Sequence, residues 1–378
     1  MLHEIKNFIK SKGLTQSIYS TLQAKTVEYQ YKRIVQYYKS KVRKPTKREK
    51  IIIDHKPIVF YMGCDEMQDK SGFLQALGGI TELSYFTKAD GSYGSYSYGV
   101  LNRKKNILQN GDRLINLLGG MEKKPDLLLM QSWEWRIGLA TLQKIKKLYP
   151  SMLIANIAMD DRHSYWVYFS KKIGSSGLIP ALDHVFTTSL EAVSWYEKEG
   201  CTASFFPLAS DTEIFHPLSI PRIYDVGFVG AKYGVREEII QHLTSEGINV
   251  KAYGNGWRDG RLPLSDTNKF YNQCEIVLGV GTILGSENFT SMKLRDFDVP
   301  MSGSVYITHK NSDTEEIFTE GKEAYYYETS SECADLVKKL LSDEIDLSEV
   351  RACTLTKALD HTYIKRVKEM LTQLNFNT

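Results

Sequence analysis

Short apolar runs alternating with helical stretches organise most of this chain. IVFYMG (58–63), LSYF (83–86), LLLMQ (127–131), LIANIAM (153–159), HVFTT (184–188) and SFFPL (204–208) read as strands. Helical patterns fill the gaps, for example over 135–148 and 190–199. After Pro217 and Pro221 a second series begins, with DVGFVG (225–230), VKAYG (250–254), EIVLGV (275–280), VYIT (305–308) and 324–327. Strands alternating with helices at this spacing predict a parallel doubly wound sheet, and two such series predict two of them. A helix over roughly 347–375 closes the chain.

Ahead of this body, residues 1–50 read as helix. Leu2, Ile5, Phe8 and Ile9 make one apolar stripe, and Val27, Tyr31, Ile34, Val35 and Tyr38 make another at helical spacing. Gly13 separates the two, and 39–50 is a basic run containing Pro45. This segment carries 13 Lys/Arg against 3 Glu, whereas the remainder carries 35 Lys/Arg against 42 Asp/Glu. The small net charge of +3 therefore hides a basic head on a mildly acidic body. Two readings fit: a helix packed on the body with a charged outer face, or attachment to an anionic membrane surface. The absence of a basic patch interleaved with aromatics argues against nucleic acid as a partner.

A length of 378 residues accommodates two ordinary domains and an appendage. With 42% hydrophobic and 25% charged residues the composition is that of a soluble globular protein. No apolar run approaches the roughly 18–20 residues that span a bilayer, and no signal-peptide pattern opens the chain. Cys64, Cys201, Cys274, Cys333 and Cys353 are scattered and without a C-x-x-C pair. They read as reduced thiols in a cytoplasmic protein, not as a disulfide frame or zinc site.

The second series holds the richest chemistry. In 271–330 an apolar strand runs into a loop of Gly, Ser and Asn, then a short helix with Lys293, Arg295 and Asp298, then the small-residue turn Ser302, Gly303, Ser304. Such a loop opening on a helix start offers free N–H groups and the helix dipole to an anion. A carboxylate on that helix suits ribose hydroxyls and its cations suit phosphate, which together suggest a nucleotide-diphosphate ligand. Upstream, DVGFVGAKYGVREEII is strand, glycine loop and helix, with Gly230 allowing close approach and Arg236 within reach of a diphosphate. Gly254, Asn255 and Gly256 form a turn expected to leave a backbone edge free for a base or ribose. Asp296 and Asp298 make a D-x-D triplet. On a helix they point about 200° apart, so no shared metal is expected, with Asp298 inward and Asp296 solvated.

"KLRDFDVPMSGSVYIT" with "EEIFTEGKEAYYYETSSECADLVKKLL" resembles the C-terminal half of bacterial glycosyltransferases of the spore-maturation-protein-like group. The "FVG…R" element at 228–236 is similar to that group as well. The resemblance covers roughly 57–345 and implies an α/β protein of the GT-B fold: two Rossmann-like domains with parallel sheets facing a central cleft, here with a basic N-terminal helical extension. It implies domains at 1–50, 51–215, 216–346 and 347–378, the last packing back on the first Rossmann-like domain. The wider superfamily binds ribose with a Glu that falls on Asp298; its other Glu falls on Thr290, a departure from the pattern. Candidate nucleotide-sugar contacts are Gly230, Lys232, Arg236, Gly254, Asn255, Gly256, Asn288, Phe289, Thr290, Lys293, Arg295 and Asp298.

In the first series, LIANIAM ends in Asp160, Asp161, Arg162 and His163. Ligands of doubly wound sheets sit beyond the carboxyl ends of strands, where this tetrad falls. Asp161 is the candidate base for an acceptor hydroxyl, with Arg162 keeping it ionised and Asp160 and His163 in reserve. Asp65, Trp133, Glu134 and Arg162 are candidate acceptor contacts; an aromatic face and carboxylates suit a sugar. His3, His55, His184, His216, His242, His309 and His361 look isolated and receive no role.

The reading is a cytoplasmic, hexosyltransferase-like enzyme, peripheral on the membrane if its head binds there. It would move a sugar from a nucleotide-diphosphate donor to a glycan or lipid-linked acceptor in bacterial surface polysaccharide synthesis. No metal or other cofactor is expected, since cations and helix N-termini can neutralise a leaving diphosphate. The competing reading is a catalytically inactive glycan- or nucleotide-binding module of coat or envelope assembly.

Overall fold

A computed structural model of the protein describes residues 16–43, 55–287, 289–342 and 344–377. Asn288 and the stretches 1–15 and 44–50 of the basic head lie outside the described residues. The chain divides into two compact units, Gln30–Pro207 with Tyr363–Thr378, and one built on Leu208–Thr362.

The first unit holds a six-stranded, fully parallel sheet in the order β2-β1-β3-β4-β5-β6. Its strands are β1 Ile58–Met62, β2 Glu82–Tyr85, β3 Leu127–Met130, β4 Leu153–Ala158, β5 His184–Thr187 and β6 Thr202–Phe205. In register, Val59 pairs with Leu127, Leu127 with Leu153, and Ala155 with His184. The inner strands β1, β3, β4 and β5 are almost wholly buried, whereas the edge strands β2 and β6 are not. Helices cover both faces of a parallel sheet, which is why the inner strands read as unbroken apolar runs.

The helix Gln16–Lys39 joins this unit from Gln30 onward. Ile34 and Tyr38 are buried in its core, and Gln30 ties the carbonyl of Trp166 (2.5 Å) to the N–H of Phe169 (2.8 Å). Tyr31 donates to Glu191, and Tyr38 to Glu199 at 2.8 Å. Lys41 and Lys171 both pair with Glu199, and Arg43 pairs with Glu197. The helix from Gln30 to Lys39 is thus packed on the body, and Lys41 and Arg43 beyond it pair with body carboxylates. Among the described residues no helix is long and apolar enough to cross a membrane.

The second unit holds a five-stranded parallel sheet in the order β11-β10-β9-β7-β8. These are β7 Tyr224–Val229, β8 Val250–Tyr253, β9 Cys274–Leu278, β10 Val305–His309 and β11 Tyr325–Tyr327. The helix Arg236–Ser245 lays Ile239, Ile240 and Leu243 into the core beside Val226, Phe228 and Ile276. The unit begins earlier than 216: it takes in the chain from Leu208, with Leu208–Ser210 and Phe215 buried. Phe215 stacks on Tyr271 at 6.0 Å, and the N–H of Leu218 binds Asn272 at 2.8 Å.

The closing helix is two helices, Leu347–Ala358 and Tyr363–Gln373, not one. Neither Gly nor Pro breaks it. The turn at His361 is held from outside: its carbonyl accepts from Ser210 N–H, and its ring packs on Phe297 and Phe318. The first of these helices stays with the second unit; only Tyr363–Gln373 belongs to the first, against Phe73–Ile80.

Candidate functional site

In the second unit the chain leaves β7 at Val229 and turns through Gly230 into the helix at Arg236. A Cβ at Gly230 would lie 2.9 Å from Cζ of Phe228, 3.1 Å from Nη1 of Arg295 and 3.3 Å from Nη1 of Arg236, so a side chain there would push on all three. Two guanidiniums far apart in sequence therefore flank one glycine. Arg236 donates to the carbonyls of Ala231 (2.8 Å) and Val280 (3.4 Å), and Arg295 to those of Val229 (2.7 Å) and the same Val280 (3.3 Å). Both lie against Phe228, and Arg236 stacks 3.9 Å over the ring of Tyr233.

Neither arginine has a carboxylate within ion-pair distance among the described residues. Asp296 and Asp298 feel the Arg295 charge but face their own partners. Burial, reinforced by Arg295, pushes Arg236 down to about 10. Buried like charges without counter-ions are costly, and an anion bound between them would remove that cost.

The rest of the predicted nucleotide set is distributed unevenly. Lys232 pairs with Glu237 at 2.7 Å and lies over Trp257. The 254–256 turn is not a free edge, which corrects the sequence reading. Gly254, at φ +139, packs directly on the Gly230 carbonyl, and the Asn255 carbonyl accepts from Lys232 N–H at 2.7 Å. Only Gly tolerates that approach and that backbone angle; the edge is spent extending the β7–β8 pairing. The Asn255 side chain is exposed.

Nor is the start of the helix Arg295–Met301 an open anion site. The carboxylate of Asp296 accepts the Lys293 N–H at 2.6 Å, and Tyr306 donates to it at 2.6 Å. Asp296 is therefore buried, not solvated, because the short helix is embedded and both its carboxylate oxygens are taken up by the Lys293 N–H and the Tyr306 hydroxyl. Asp298 is inward as expected and accepts from Ser210 at 2.8 Å; burial pushes its carboxyl up to about 8. Thr290 pairs with Thr282 across the loop, Phe289 is buried beneath it, and Lys293 donates to Ser291 at 2.7 Å.

His309, given no role from sequence, ends β10 in this neighbourhood. It is 4% exposed, and its ring lies 4.4 Å from that of Tyr327. Burial first and Arg236 second push it down to about 4.

In the first unit Asp161 is 1% exposed. Its Oδ1 accepts from Ser175 (2.6 Å) and Tyr196 (2.7 Å), and its Oδ2 from Thr187 (2.6 Å). Burial outweighs these bonds and pushes it up to about 6. Three hydroxyls occupying both oxygens make it a tie between β4, β5 and the helix Leu190–Glu199. The geometry assigns it to structure instead of proton transfer. Arg162 does not attend it; its Nε donates to Glu191 at 3.0 Å.

Asp160 is the half-exposed member of the tetrad, with Oδ1 3.8 Å from His163 Nε2. It occupies the N-cap of Asp161–Ser164, yet its carboxylate makes no capping bond.

The other acceptor candidates are largely engaged. Asp65 caps the short helix Glu66–Asp69 through Met67 and Gln68 N–H. Glu134 is held by Arg103. Trp133 is buried, donates to Ser164 at 3.1 Å, stacks on Trp135 at 5.2 Å and carries Arg136 on its face. Sequence reasoning passed over Asp69, which accepts from Tyr61 (3.0 Å) and Tyr93 (2.8 Å) at the end of β1. Its partner Tyr93 lies in the connection that follows β2.

Among the described residues no group of three or more His, Cys, Asp or Glu is placed to hold a metal ion.

Residues 236–372 match the family model described as glycosyl transferase-like, a span containing Arg236, Arg295, Asp298 and His309. No curated protein matches the chain in sequence. Among solved structures, sucrose-phosphate synthase from Thermosynechococcus elongatus superposes with a TM-score of 0.58 at 9% identity, over 84% of this chain and 99% of that one. The Anabaena protein HepE, in complex with UDP and glucose, gives 0.53 at 11% identity, over 84% and 100%. A glycosyltransferase from Rickettsia africae gives 0.56 at 8% identity, over 85% and 98%. These likenesses establish the GT-B fold for this chain.

Proposed function

We propose that this chain is a glycosyltransferase of the spore-maturation-protein-like group that takes its sugar from a nucleotide-diphosphate donor. The observation that carries the reading is the pair Arg236 and Arg295, converging on Gly230 at the carboxyl ends of β7 and β9 with no carboxylate paired to either among the described residues. Guanidiniums present a rigid fork that matches phosphate oxygens. Their pre-placed charge would neutralise a leaving diphosphate without a metal ion. Asp298, deeper in the same unit, remains the proposed ribose contact. The bound UDP of the HepE complex makes a uridine donor the first to test.

The acceptor, a glycan or lipid-linked sugar of a bacterial surface polymer, is assigned to the first unit. There Asp160, beside His163, replaces Asp161 as proposed base, because it keeps carboxylate surface exposed to solvent. A sugar hydroxyl needs such a group to accept its proton in an inverting transfer.

Two observations favour the rival reading of a nucleotide-binding module without turnover: Thr290 in place of the superfamily's Glu, and an Asp161 fully occupied by hydroxyls. A hydrolysis assay with UDP-, GDP-, ADP- and dTDP-hexoses separates them. The enzyme should release free nucleotide from one of these slowly without acceptor, with loss of release in Arg295→Ala. Binding without any release supports the rival, and neither binding nor release rejects both.

A further inference from the structure

Around the Arg236–Arg295 pair lie two further polar groups that the donor reading has not used. Among the described residues, the wholly buried Thr282 has no hydrogen-bond partner for its Oγ1, and the buried His309 has none for its Nδ1. Buried donors and acceptors are nearly always satisfied, so two such atoms in one part of the unit call for an explanation.

The two are neighbours. A side chain built on Gly281 would touch Cβ of both His309 and Thr290 at 3.8 Å, and Thr290 is the bridge partner of Thr282. Val280, one residue before Gly281, supplies the carbonyl that both guanidiniums share. The cluster thus joins the ends of β9 and β10 to the start of the helix Arg236–Ser245.

Among the described residues, several elements bring groups against His309. Arg236 approaches from its helix and is the charge His309 feels. Tyr327 on β11 covers one ring face and donates its hydroxyl to Gly279. Thr290 borders it from the loop, and the adjacent Lys310 reaches toward Glu315 and Glu328 at 3.9 and 3.8 Å. Among the described residues no carboxylate pairs with His309.

Resting on the donor reading above, we propose that His309 is a third, conditional cation of the diphosphate site. It is neutral in the ligand-free protein and takes up one proton from solvent when a diphosphate binds beside Arg236. The chemistry is electrostatic linkage. In the free site, burial and a neighbouring cation both disfavour the imidazolium. A bound diphosphate reverses the local sign, and the protonated ring gains a charge-assisted hydrogen bond to a phosphate oxygen. The buried Thr282 hydroxyl supplies a neutral donor to the same ligand.

The direction with pH follows. His309 is pushed down to about 4 in the free protein, and the anion raises it. Binding therefore tightens as pH falls below the bound-state value, by up to about tenfold per unit for one proton. Well above that value it is flat.

The test is calorimetric titration with UDP-glucose, and with GDP-, ADP- and dTDP-hexoses if UDP-glucose fails. The measurements run at pH 5.5, 6.5 and 7.5 in buffers of different ionisation enthalpy. Nucleotide sugars are chosen because their diphosphate does not itself titrate in this range. Wild type should take up close to one proton at the lowest pH and bind more tightly there. His309→Gln, and His309→Phe should Gln impair folding, should bind with constant affinity and no proton uptake. A wild type without proton uptake, or a His309 variant keeping the wild-type pH dependence, overturns this inference and leaves the donor reading standing. Wild type binding none of the nucleotides overturns both.

Discussion

Replacing Arg236 with Met separates a ligand site from a structural clamp. Arg236 is 4% exposed, and burial pushes its guanidinium down to about 10. A cation held below its unfolded-state value is costlier in the folded chain at every pH where it is charged. Here that cost is about 3 kcal/mol below pH 10. Against it stand two hydrogen bonds, to Ala231 and Val280. Losing them costs roughly 1–3 kcal/mol, and Val280 keeps Arg295 as a donor. Methionine fills a similar volume, so no large cavity opens. The two effects nearly cancel, and thermal unfolding without ligand should stay within about 5 °C of wild type. Nucleotide affinity should not survive so well. A lost charge-assisted contact of about 1.5–3 kcal/mol weakens binding by about 10- to 150-fold, read by calorimetry. A variant melting more than about 10 °C lower while binding nucleotide normally would show that the arginine is a clamp.

Asp161→Ala strands the hydroxyls of Ser175, Thr187 and Tyr196 and should lower stability by about 3–5 kcal/mol in denaturant titrations. Asp160→Asn should leave stability unchanged yet cut transferase turnover by about 100-fold or more, the size of a general-base effect; normal turnover would move the base elsewhere. Asp298 is raised to about 8, so the folded state holds its proton more tightly than the unfolded chain does. Its contribution to stability is full below about pH 4 and is lost as pH rises through 8, by about 1.4 kcal/mol per unit. Asp298→Asn should flatten that limb of a stability–pH profile and equal or exceed wild type at pH 8; an unchanged slope would contradict it.

The strands were legible because a parallel sheet covered on both faces demands unbroken apolar runs, and each run overlaps a strand, SFFPL only at its first two residues. The helix Leu190–Glu199 was equally plain, since Gly200 ends it in the left-handed region at φ +89. What escaped was decided by contacts distant in sequence. Nothing local says that Ser175 and Tyr196 converge on Asp161, or that Ser210 and two aromatic rings bend the chain at His361. Asp296 was misread because a helical wheel assumes one solvent face, and a seven-residue embedded helix has none. His309 was findable: it stands at the carboxyl end of VYITH, the position that singled out the Asp160 tetrad.

A crystal soaked with the tightest-binding nucleotide sugar shows directly whether a donor diphosphate lies between Arg236 and Arg295. Its phosphate oxygens should lie about 2.7–2.9 Å from nitrogens of both guanidiniums. A diphosphate bound elsewhere, with both arginines still engaged only by the carbonyls of Val229, Ala231 and Val280, would contradict it.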